Sequence, residues 1–130
     1  MSKWSVAKET VTALREQAPT LKGFVNSCGF LTQRVPTLET TPDNWSVTLD
    51  GNLSSAFYSA RHFAPLISPG GAMVMTGSGL GASPRPDYGA YAVAKAGIAA
   101  LTRQLALELA PAPTSTGVCC PCCCYRRCCP

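Results

Sequence analysis

Apolar residues along this chain are spaced in two ways, and each spacing predicts a different kind of element. In residues 71–77, "GAMVMTG", they occupy consecutive positions without alternation, which is typical of a parallel strand covered on both faces. A shorter apolar run predicts another strand over Leu21–Asn26, which runs into a turn at Gly29. Residues 30–40 have no regular pattern and are predicted to form a loop.

Helical spacing marks three other segments. Residues 5–18 place Val11 and Leu14 on one face and charged residues on the other. Residues 41–65 carry one apolar stripe, made of Trp45, Leu49, Leu53, Ala56, Phe57 and Ala60. Residues 88–109 carry another, made of Ile98, Leu101, Leu105 and Leu109. We therefore predict a helix in each segment.

The middle helix contains two residues that helices disfavour. Thr41 can cap its start and Pro42 suits its first position, but Gly51 and Asn52 stand in its interior. Such a pair weakens a helix by about 1 kcal/mol relative to alanine. We therefore expect a local reason for the pair.

The elements alternate in the order helix, strand, helix, strand, helix. This alternation predicts an α/β fold with a parallel sheet. In such a fold the segment 41–65 crosses over between two strands, residues 21–26 and 71–76, which should be neighbours in the sheet.

Composition and charge exclude several classes of protein. Of the 130 residues 46% are hydrophobic and 14% are charged, which indicates one globular domain rather than a disordered chain. The net charge of +4 comes from scattered basic residues, so no nucleic-acid partner is predicted. The sequence has neither an apolar run of about 18 residues nor a secretory signal, so we expect no membrane span and a cytoplasmic location.

Cysteine is concentrated at one end of the chain. Seven of the eight cysteines lie between Cys119 and Cys129, which divides the chain into a body, residues 1–111, and a Cys/Pro-rich tail, residues 112–130. The tail contains CxxC spacings, but no second pair follows at the distance typical of zinc sites. We expect no metal site, and a tail without folded structure that arises from a frame change or read-through.

Two signals compete in residues 77–95, "GSGLGASPRPDYGAYAVAK". Gly77, Gly79 and Ala82 match the spacing of a dinucleotide-binding turn, which must open a helix that receives the pyrophosphate. Pro84 pushes the residue before it out of the helical region, so no helix is predicted at the required place. We interpret the glycine spacing as a coincidence.

Tyr91 and Lys95 form the second signal, because residues four apart share one face of a helix. A neighbouring ammonium lowers the pKa of a tyrosine from its usual value of about 10, which suits proton exchange with a substrate oxygen. Ser78 follows a buried strand, where open α/β sheets place their ligand crevices, and its hydroxyl can bind the same oxygen. A Tyr-x-x-x-Lys spacing or a serine after a strand each also occurs by chance. We therefore base the prediction of a catalytic site on finding all three residues together.

That combination resembles the short-chain dehydrogenase/reductase family. The family places a serine after a buried strand and a Tyr-x-x-x-Lys motif thirteen positions later, the separation of Ser78 and Tyr91 here. Three stretches resemble its serine strand, its active-site helix and the helix that carries its active-site asparagine: residues 71–81, 91–111 and 51–67.

The turn after the first strand is also similar to the family. "FVNSCG" resembles the family's Asn-Asn-Ala-Gly turn, with Asn26 and Gly29 kept and Ser27 and Cys28 departing. The resemblance covers roughly residues 5–111. It implies part of a Rossmann-like, doubly wound parallel sheet.

The resemblance implies an NAD(P)-dependent oxidoreductase that interconverts a small-molecule carbonyl and an alcohol by hydride transfer. Tyr91 would be the general acid/base, Ser78 would position the substrate oxygen, and Lys95 would tune the tyrosine. Asn52 would hold a water in a proton relay, which also accounts for Gly51-Asn52 inside a helix. The implied cofactor-binding residues are Asn26, Gly29, Tyr91 and Lys95.

Other parts of the family pattern have no counterpart in this sequence. They are the opening strand with its Gly-rich pyrophosphate turn, and the next strand with the substrate-binding segment. We therefore expect a chain truncated at both ends and inactive alone, with no micromolar binding of NADH or NADPH. Two alternatives stay open: a non-catalytic fragment that pairs with related subunits through helices 41–65 and 88–109, and a small Cys-rich metal-binding protein.

Overall fold

The computed structural model describes residues 11–14, 16–18, 20–109 and 117–119. Within these residues the strands are β1 (Leu21–Asn26), β2 (Ile67–Met75) and β3 (Gly117–Cys119). The helices are α1 (Pro42–Leu49), α2 (Ser55–Phe63), α3 (Gly79–Ala82) and α4 (Gly89–Leu109), preceded by helical residues at 11–14 and 16–17. A π turn (Asp50–Ser54) joins α1 to α2, and 3-10 turns cover Thr37–Glu39 and Ala64–Leu66.

The strands form one parallel sheet in the order β1-β2-β3. Phe24 lies opposite Met73 and Asn26 lies opposite Met75. The predicted pairing of residues 21–26 with 71–76 is therefore confirmed, and α1 and α2 form the crossover between the two strands.

The second strand begins earlier than its apolar run predicts. β2 starts at Ile67, which pairs with Leu21, and the register then shifts so that Gly23 pairs with Ala72. Pro69 and Gly70 lie inside this irregular part, and Gly70 has a positive φ of 75°. These two residues resemble a turn in the sequence, which is why the first part of the strand is not predicted.

The third strand differs from the prediction of a tail without folded structure. Gly117–Cys119 pair in parallel with β2, from Ala72 to Val74. The sheet therefore has a short third strand at these three residues. The physical reason is that the second edge of β2 offers unpaired backbone groups, which a short extended segment can satisfy whatever its side chains are. The rest of the tail lies outside the described residues.

The crossover is two helices rather than the single helix predicted over 41–65. Thr41 caps α1 as expected, because its side chain accepts a hydrogen bond from the Asn44 backbone N–H at 3.3 Å. The helical course then widens into the π turn at Asp50–Ser54, which contains Gly51 and Asn52.

The core lies between the sheet and one face of the helices. Its buried members are Ala56, Ala60, Ile67, Met73, Met75 and Ile98. The alanines of α2 let the helix approach the sheet closely, and the two β2 methionines fill the space between them with no exposed surface. Phe24 and Phe63 stack beside this cluster with ring centroids 4.4 Å apart. The two aromatic rings therefore extend the core along the face of β1.

The long helix α4 carries the predicted Tyr91 and Lys95 along its first two turns. It begins at Gly89, one residue later than predicted, and ends at Leu109 as predicted. Helical residues at 11–14 and 16–17 agree with the first predicted helix, whose earlier part lies outside the described residues. Among the residues that the structure describes, no helix is both long and apolar enough to cross a bilayer.

Candidate active site

The candidate site lies where β1 and β2 end. Asn26 is the last residue of β1, and its carbonyl accepts a hydrogen bond from the Thr76 backbone N–H at 2.9 Å, just beyond the end of β2. The carboxyl ends of parallel strands form the edge where α/β proteins bind ligands. The predicted site residues are placed around this edge by the turn after β1, the π turn, the segment after β2, and α4.

Lys95 reaches this edge from α4. Its side chain is only 3% exposed, and its ammonium donates to the carbonyl oxygens of Thr76 at 3.1 Å and Cys28 at 3.3 Å. A buried charge needs such partners, since an unpaired one would carry a large desolvation penalty. Lys95 therefore ties the ends of both strands to the helix.

Tyr91 lies one helical turn before Lys95, as its spacing predicts. The Lys95 ammonium is 5.6 Å from the centroid of the Tyr91 ring, close enough for a cation–π contact. The tyrosine is half-buried. The structure thus brings the two residues together, while their acid/base role stays a prediction.

Asn52 is fully buried, and its amide makes three hydrogen bonds to the protein. Its Nδ2 donates to the carbonyl of Phe30 at 2.9 Å and to that of Thr48 at 2.8 Å, and its Oδ1 accepts from the Phe30 N–H at 3.3 Å. These contacts pair the amide with both backbone groups of Phe30, as a neighbouring strand would do. Asn52 therefore fixes the chain that leaves β1.

Gly51 and the π turn explain why this asparagine stands inside a helix. A side chain at Gly51 would overlap the Phe30 ring, which lies against the helix backbone at this point. The wider turn presents Asn52 toward the segment beside that ring. The packing of Phe30 is therefore the local reason that the Gly51-Asn52 pair required.

Gly29 marks the point where Lys95 and Asn52 meet. A Cβ placed at Gly29 would lie 2.7 Å from the Lys95 ammonium nitrogen and 3.1 Å from Asn52 Oδ1. Any larger residue would therefore displace one of the two polar groups. The predicted residues Asn52, Lys95 and Gly29 form one contiguous cluster.

Asn26 organises the same turn from the strand side. Its Oδ1 accepts a hydrogen bond from the Cys28 N–H at 3.0 Å, which holds the turn tightly. Its Nδ2 is buried and makes no hydrogen bond among the residues that the structure describes. A buried donor without a partner is rare in proteins, which makes this atom a candidate for contact with a bound group.

Ser78 lies after β2 and caps the four-residue helix α3. Its Oγ accepts from the Leu80 N–H at 3.3 Å, which leaves its hydroxyl proton free of that contact. No helix is predicted at this place, and that prediction is wrong by one short turn. The turn ends at Ala82, before the Ser83-Pro84 bend, as the proline effect requires.

Gly81, which lies between the residues of the glycine spacing without being one of them, has a packing role here. A Cβ at Gly81 would stand 2.8 Å from the Lys95 carbonyl carbon and 2.8 Å from the Ala96 nitrogen. Gly81 therefore allows α3 to lie directly on the backbone of α4 beside Lys95. A Cβ at Gly79, by contrast, would have open space around it.

Two residues of the site were missed in the sequence. The sequence places Phe30 in a loop without a regular pattern, and nothing in it marks Thr48. Thr48 is buried, and its hydroxyl oxygen lies 2.9 Å from that of Thr32. Gly51 is unusual inside a helix, and this indicates that some side chain packs against the helix there. The sequence does not show that this side chain is Phe30, because the two residues are far apart along the chain.

A cleft opens beside Tyr91, between the loop after β1 and the start of α4. It encloses about 240 Å³ including open solvent, and its lining includes Gln33, Asn44, Thr48, Tyr88 and Tyr91. The guanidinium carbon of Arg34 lies 4.8 Å from the centroid of the Tyr88 ring, a cation–π contact beside this cleft. Most of the space in the cleft is open solvent, and the enclosed part has room for about one water molecule.

Solved structures share this arrangement of strands and helices. A short chain dehydrogenase from Shigella flexneri 2a str. 301, complexed with NADP, superimposes with a TM-score of 0.80 at 23% identity, over 92% of this chain and 50% of that one. A short chain dehydrogenase from Escherichia coli CFT073 gives a TM-score of 0.78 at 25% identity, over 85% and 49% of the two chains.

Sequence comparison leads to the same group of proteins. A "Short-chain type dehydrogenase/reductase" of Picea abies is 34% identical over 105 residues, 71% of this chain and 39% of that protein. A "3beta-hydroxysteroid dehydrogenase" of Mediterraneibacter gnavus is 28% identical over 122 residues, 93% of this chain and 44% of that protein. This chain therefore spans less than half the length of these curated relatives.

A family model described as "Enoyl-(Acyl carrier protein) reductase" matches residues 1–121, which is nearly the whole chain. The match includes the strand ends, the buried lysine and the π turn that form the candidate site. Because the model, the curated relatives and the fold agree, the chain belongs to the short-chain dehydrogenase/reductase family of oxidoreductases.

Proposed function

We propose that this chain carries the proton-transfer part of an NAD(P)-dependent oxidoreductase that interconverts a carbonyl and an alcohol. The observation that carries the proposal is the buried Lys95 ammonium, which is held by two strand-end carbonyls and lies beside the Tyr91 ring. Burying a charge at this place makes sense if it serves a reacting group next to it.

Each site residue has a role in that reaction. Tyr91 gives its hydroxyl proton to the substrate oxygen as the carbonyl becomes an alcohol, and takes it back in the reverse direction. The Lys95 ammonium offsets the negative charge left on the tyrosine. The hydroxyl of Ser78 donates to the same substrate oxygen. Asn52 keeps the turn at residues 28–30 in place beside Lys95.

The residues at the strand ends fit a nicotinamide cofactor. Gly29 keeps the approach to the Lys95 ammonium clear, and the buried Nδ2 of Asn26 lacks a partner within the described residues. The cofactor supplies or accepts the hydride at the substrate carbon. Tyr91 and Lys95 would hold its nicotinamide-ribose side, and Asn26 and Gly29 would border its adenosine side.

A half-cofactor tests the proposal on the chain as it stands. Reduced nicotinamide mononucleotide carries the nicotinamide and ribose but no adenine or pyrophosphate bridge. The chain is expected to be inactive alone with NADH or NADPH, but with this half-cofactor, which needs no pyrophosphate site, we expect slow oxidation when small cyclic or aliphatic ketones are supplied. By contrast, no saturable NADPH binding is expected at micromolar concentration, because the glycines after β2 open only a four-residue helix.

Two variants make the test specific. Tyr91→Phe should lower the rate by about 10²- to 10⁴-fold, the usual contribution of a general acid or base. Tyr58→Phe removes a tyrosine hydroxyl from α2, away from the strand ends, and should leave the rate unchanged. If both variants keep the same rate as the unmodified chain, Tyr91 is not the acid/base and the proposed function fails.

A further inference from the structure

The hydroxyl of Ser55 lies against the π turn that carries Asn52. Ser55 is the first residue of α2, directly after the turn. Its Oγ is 2.8 Å from the carbonyl oxygen of Gly51 and 3.1 Å from that of Asn52. One hydroxyl proton is thus shared between the two carbonyls of the residues that shape the turn.

A π turn creates a need for such a donor. Its backbone N–H groups reach back five residues rather than four, and the Ser55 N–H accordingly bonds to the carbonyl of Asp50 as well as to that of Asn52. In a regular helix the Ser55 N–H would bond to the Gly51 carbonyl, four residues back. The Ser55 hydroxyl bonds to that carbonyl instead, which offsets the loss of the backbone partner.

The same turn controls the site through Asn52. The Asn52 amide holds both backbone groups of Phe30, and Phe30 follows the turn whose Cys28 carbonyl accepts from Lys95. Hydrogen bonds therefore link Ser55 to the turn that carries Asn52, Asn52 to Phe30, and Cys28 to Lys95, and the backbone joins Phe30 to Cys28. Each of these hydrogen bonds is 3.3 Å or shorter.

We propose that Ser55 is a positioning residue, whose hydroxyl keeps the π turn in the shape that presents the Asn52 amide to Phe30. The link to catalysis rests on the function proposed above, whereas the effect on the Asn52 amide does not. Loss of the hydroxyl lets the turn relax toward a regular helix, which moves Asn52 away from Phe30.

The chain offers a matched control for this proposal. Ser59 lies one turn further along α2, and its Oγ donates to the Ser55 carbonyl at 2.8 Å, four residues back. Both serines are partly buried and both make the same kind of bond. Only the bond of Ser55 reaches into the π turn, so Ser59→Ala removes an equivalent contact from the regular part of the helix.

Hydrogen exchange followed by NMR measures the effect directly. Ser55→Ala should speed exchange of the Phe30 backbone N–H and of the Asn52 side-chain amide by roughly five- to tenfold, the effect of losing one hydrogen bond. Ser59→Ala should change neither by more than about twofold, within the scatter of surface substitutions. The Met73 backbone N–H, in the middle of β2, reports global unfolding and should be unchanged in both.

A second pair of variants keeps the test decisive if Ser55→Ala does not fold. Ser55→Thr and Ser55→Val have nearly the same shape, and threonine can bond the same carbonyls in a helix. Threonine should restore slow exchange at Phe30, and valine should not. Equal protection in the two variants would overturn the proposal.

Two further results would also overturn it. One is faster exchange at Phe30 in Ser59→Ala as well as in Ser55→Ala. The other is a rise that includes Met73, which would reveal a general loss of stability. The oxidation of reduced nicotinamide mononucleotide is measured in the same variants. If neither the unmodified chain nor any variant oxidises it, the proposed function fails. The exchange rates alone then decide whether Ser55 is a positioning residue.

Discussion

Replacing Asn52 with alanine tests how much of the fold depends on one buried amide. The variant loses the two bonds donated by Nδ2, to Phe30 and Thr48, and the one accepted by Oδ1 from Phe30. It also leaves a small space at a position with no exposed surface. The perturbation therefore removes the hydrogen bonds by which one fully buried side chain joins the π turn to the segment after β1.

The expected loss of stability follows from these contacts. Three hydrogen bonds at a net value of about 1 kcal/mol each give about 3 kcal/mol. Phe30 is 43% exposed, so water can reach its freed backbone groups and lower that figure. We expect about 2–3 kcal/mol, a large share of the roughly 5–15 kcal/mol by which domains are usually stable.

Urea unfolding followed by tryptophan fluorescence, to which Trp45 in α1 contributes, measures this loss. Asn44→Ala is the control, because its amide also bonds the loop after β1, donating to Gln33 Oε1 at 2.7 Å, but this hydrogen bond is exposed to solvent. That variant should lose about 0.5 kcal/mol or less. If the two variants lose the same amount, or if Asn52→Ala loses less than about 1 kcal/mol, the reasoning from the buried amide is refuted.

Two other predictions concern the edges and faces of the fold. Removing residues 114–130 takes away β3 and its pairing from Ala72 to Val74, so stability should fall by about 1–3 kcal/mol; an unchanged urea midpoint would show that the third strand contributes nothing. Exposed apolar side chains on α1, α2 and α4, namely Val47, Phe57, Val93 and Leu107, predict self-association through these helices. Sedimentation velocity should show a dimer or larger species that Phe57→Glu shifts toward the monomer, and a monomer at all concentrations would contradict this.

Helices and strands with a clear pattern of apolar residues could be predicted from the sequence. Contacts between segments far apart along the chain could not. Consecutive apolar residues identified β2, and the four-residue spacing placed Tyr91 and Lys95 on one face. The pairing of Asn52 with Phe30 spans 22 positions in the sequence, and no local pattern encodes it. Pro69 and Gly70 concealed the start of β2, because strands with a bulge use the same residues as turns.

The tail shows a different limit of pattern reading. Gly117–Cys119 were assigned to a disordered segment because their composition is unusual, yet three residues pair with β2. Backbone groups make these bonds, so composition says little about them. Ser78 illustrates the reverse case: its position after β2 was predictable from the apolar run alone, whereas its capping of α3 needed the geometry.

The π turn also corrects the phase of the helical crossover. The buried side chains of the crossover lie four residues apart: Thr48, Asn52, Ala56 and Ala60. In a regular helix, steps of four overshoot a full turn by roughly 40° each, so this line would wind about a third of the way around the helix. A wider turn advances less per residue and brings the later alanines back toward the sheet. Deleting one residue from 50–54 would therefore rotate α2 away from the core. This would hold even for Asp50, whose own side chain is exposed at the start of the turn and makes no part of the core.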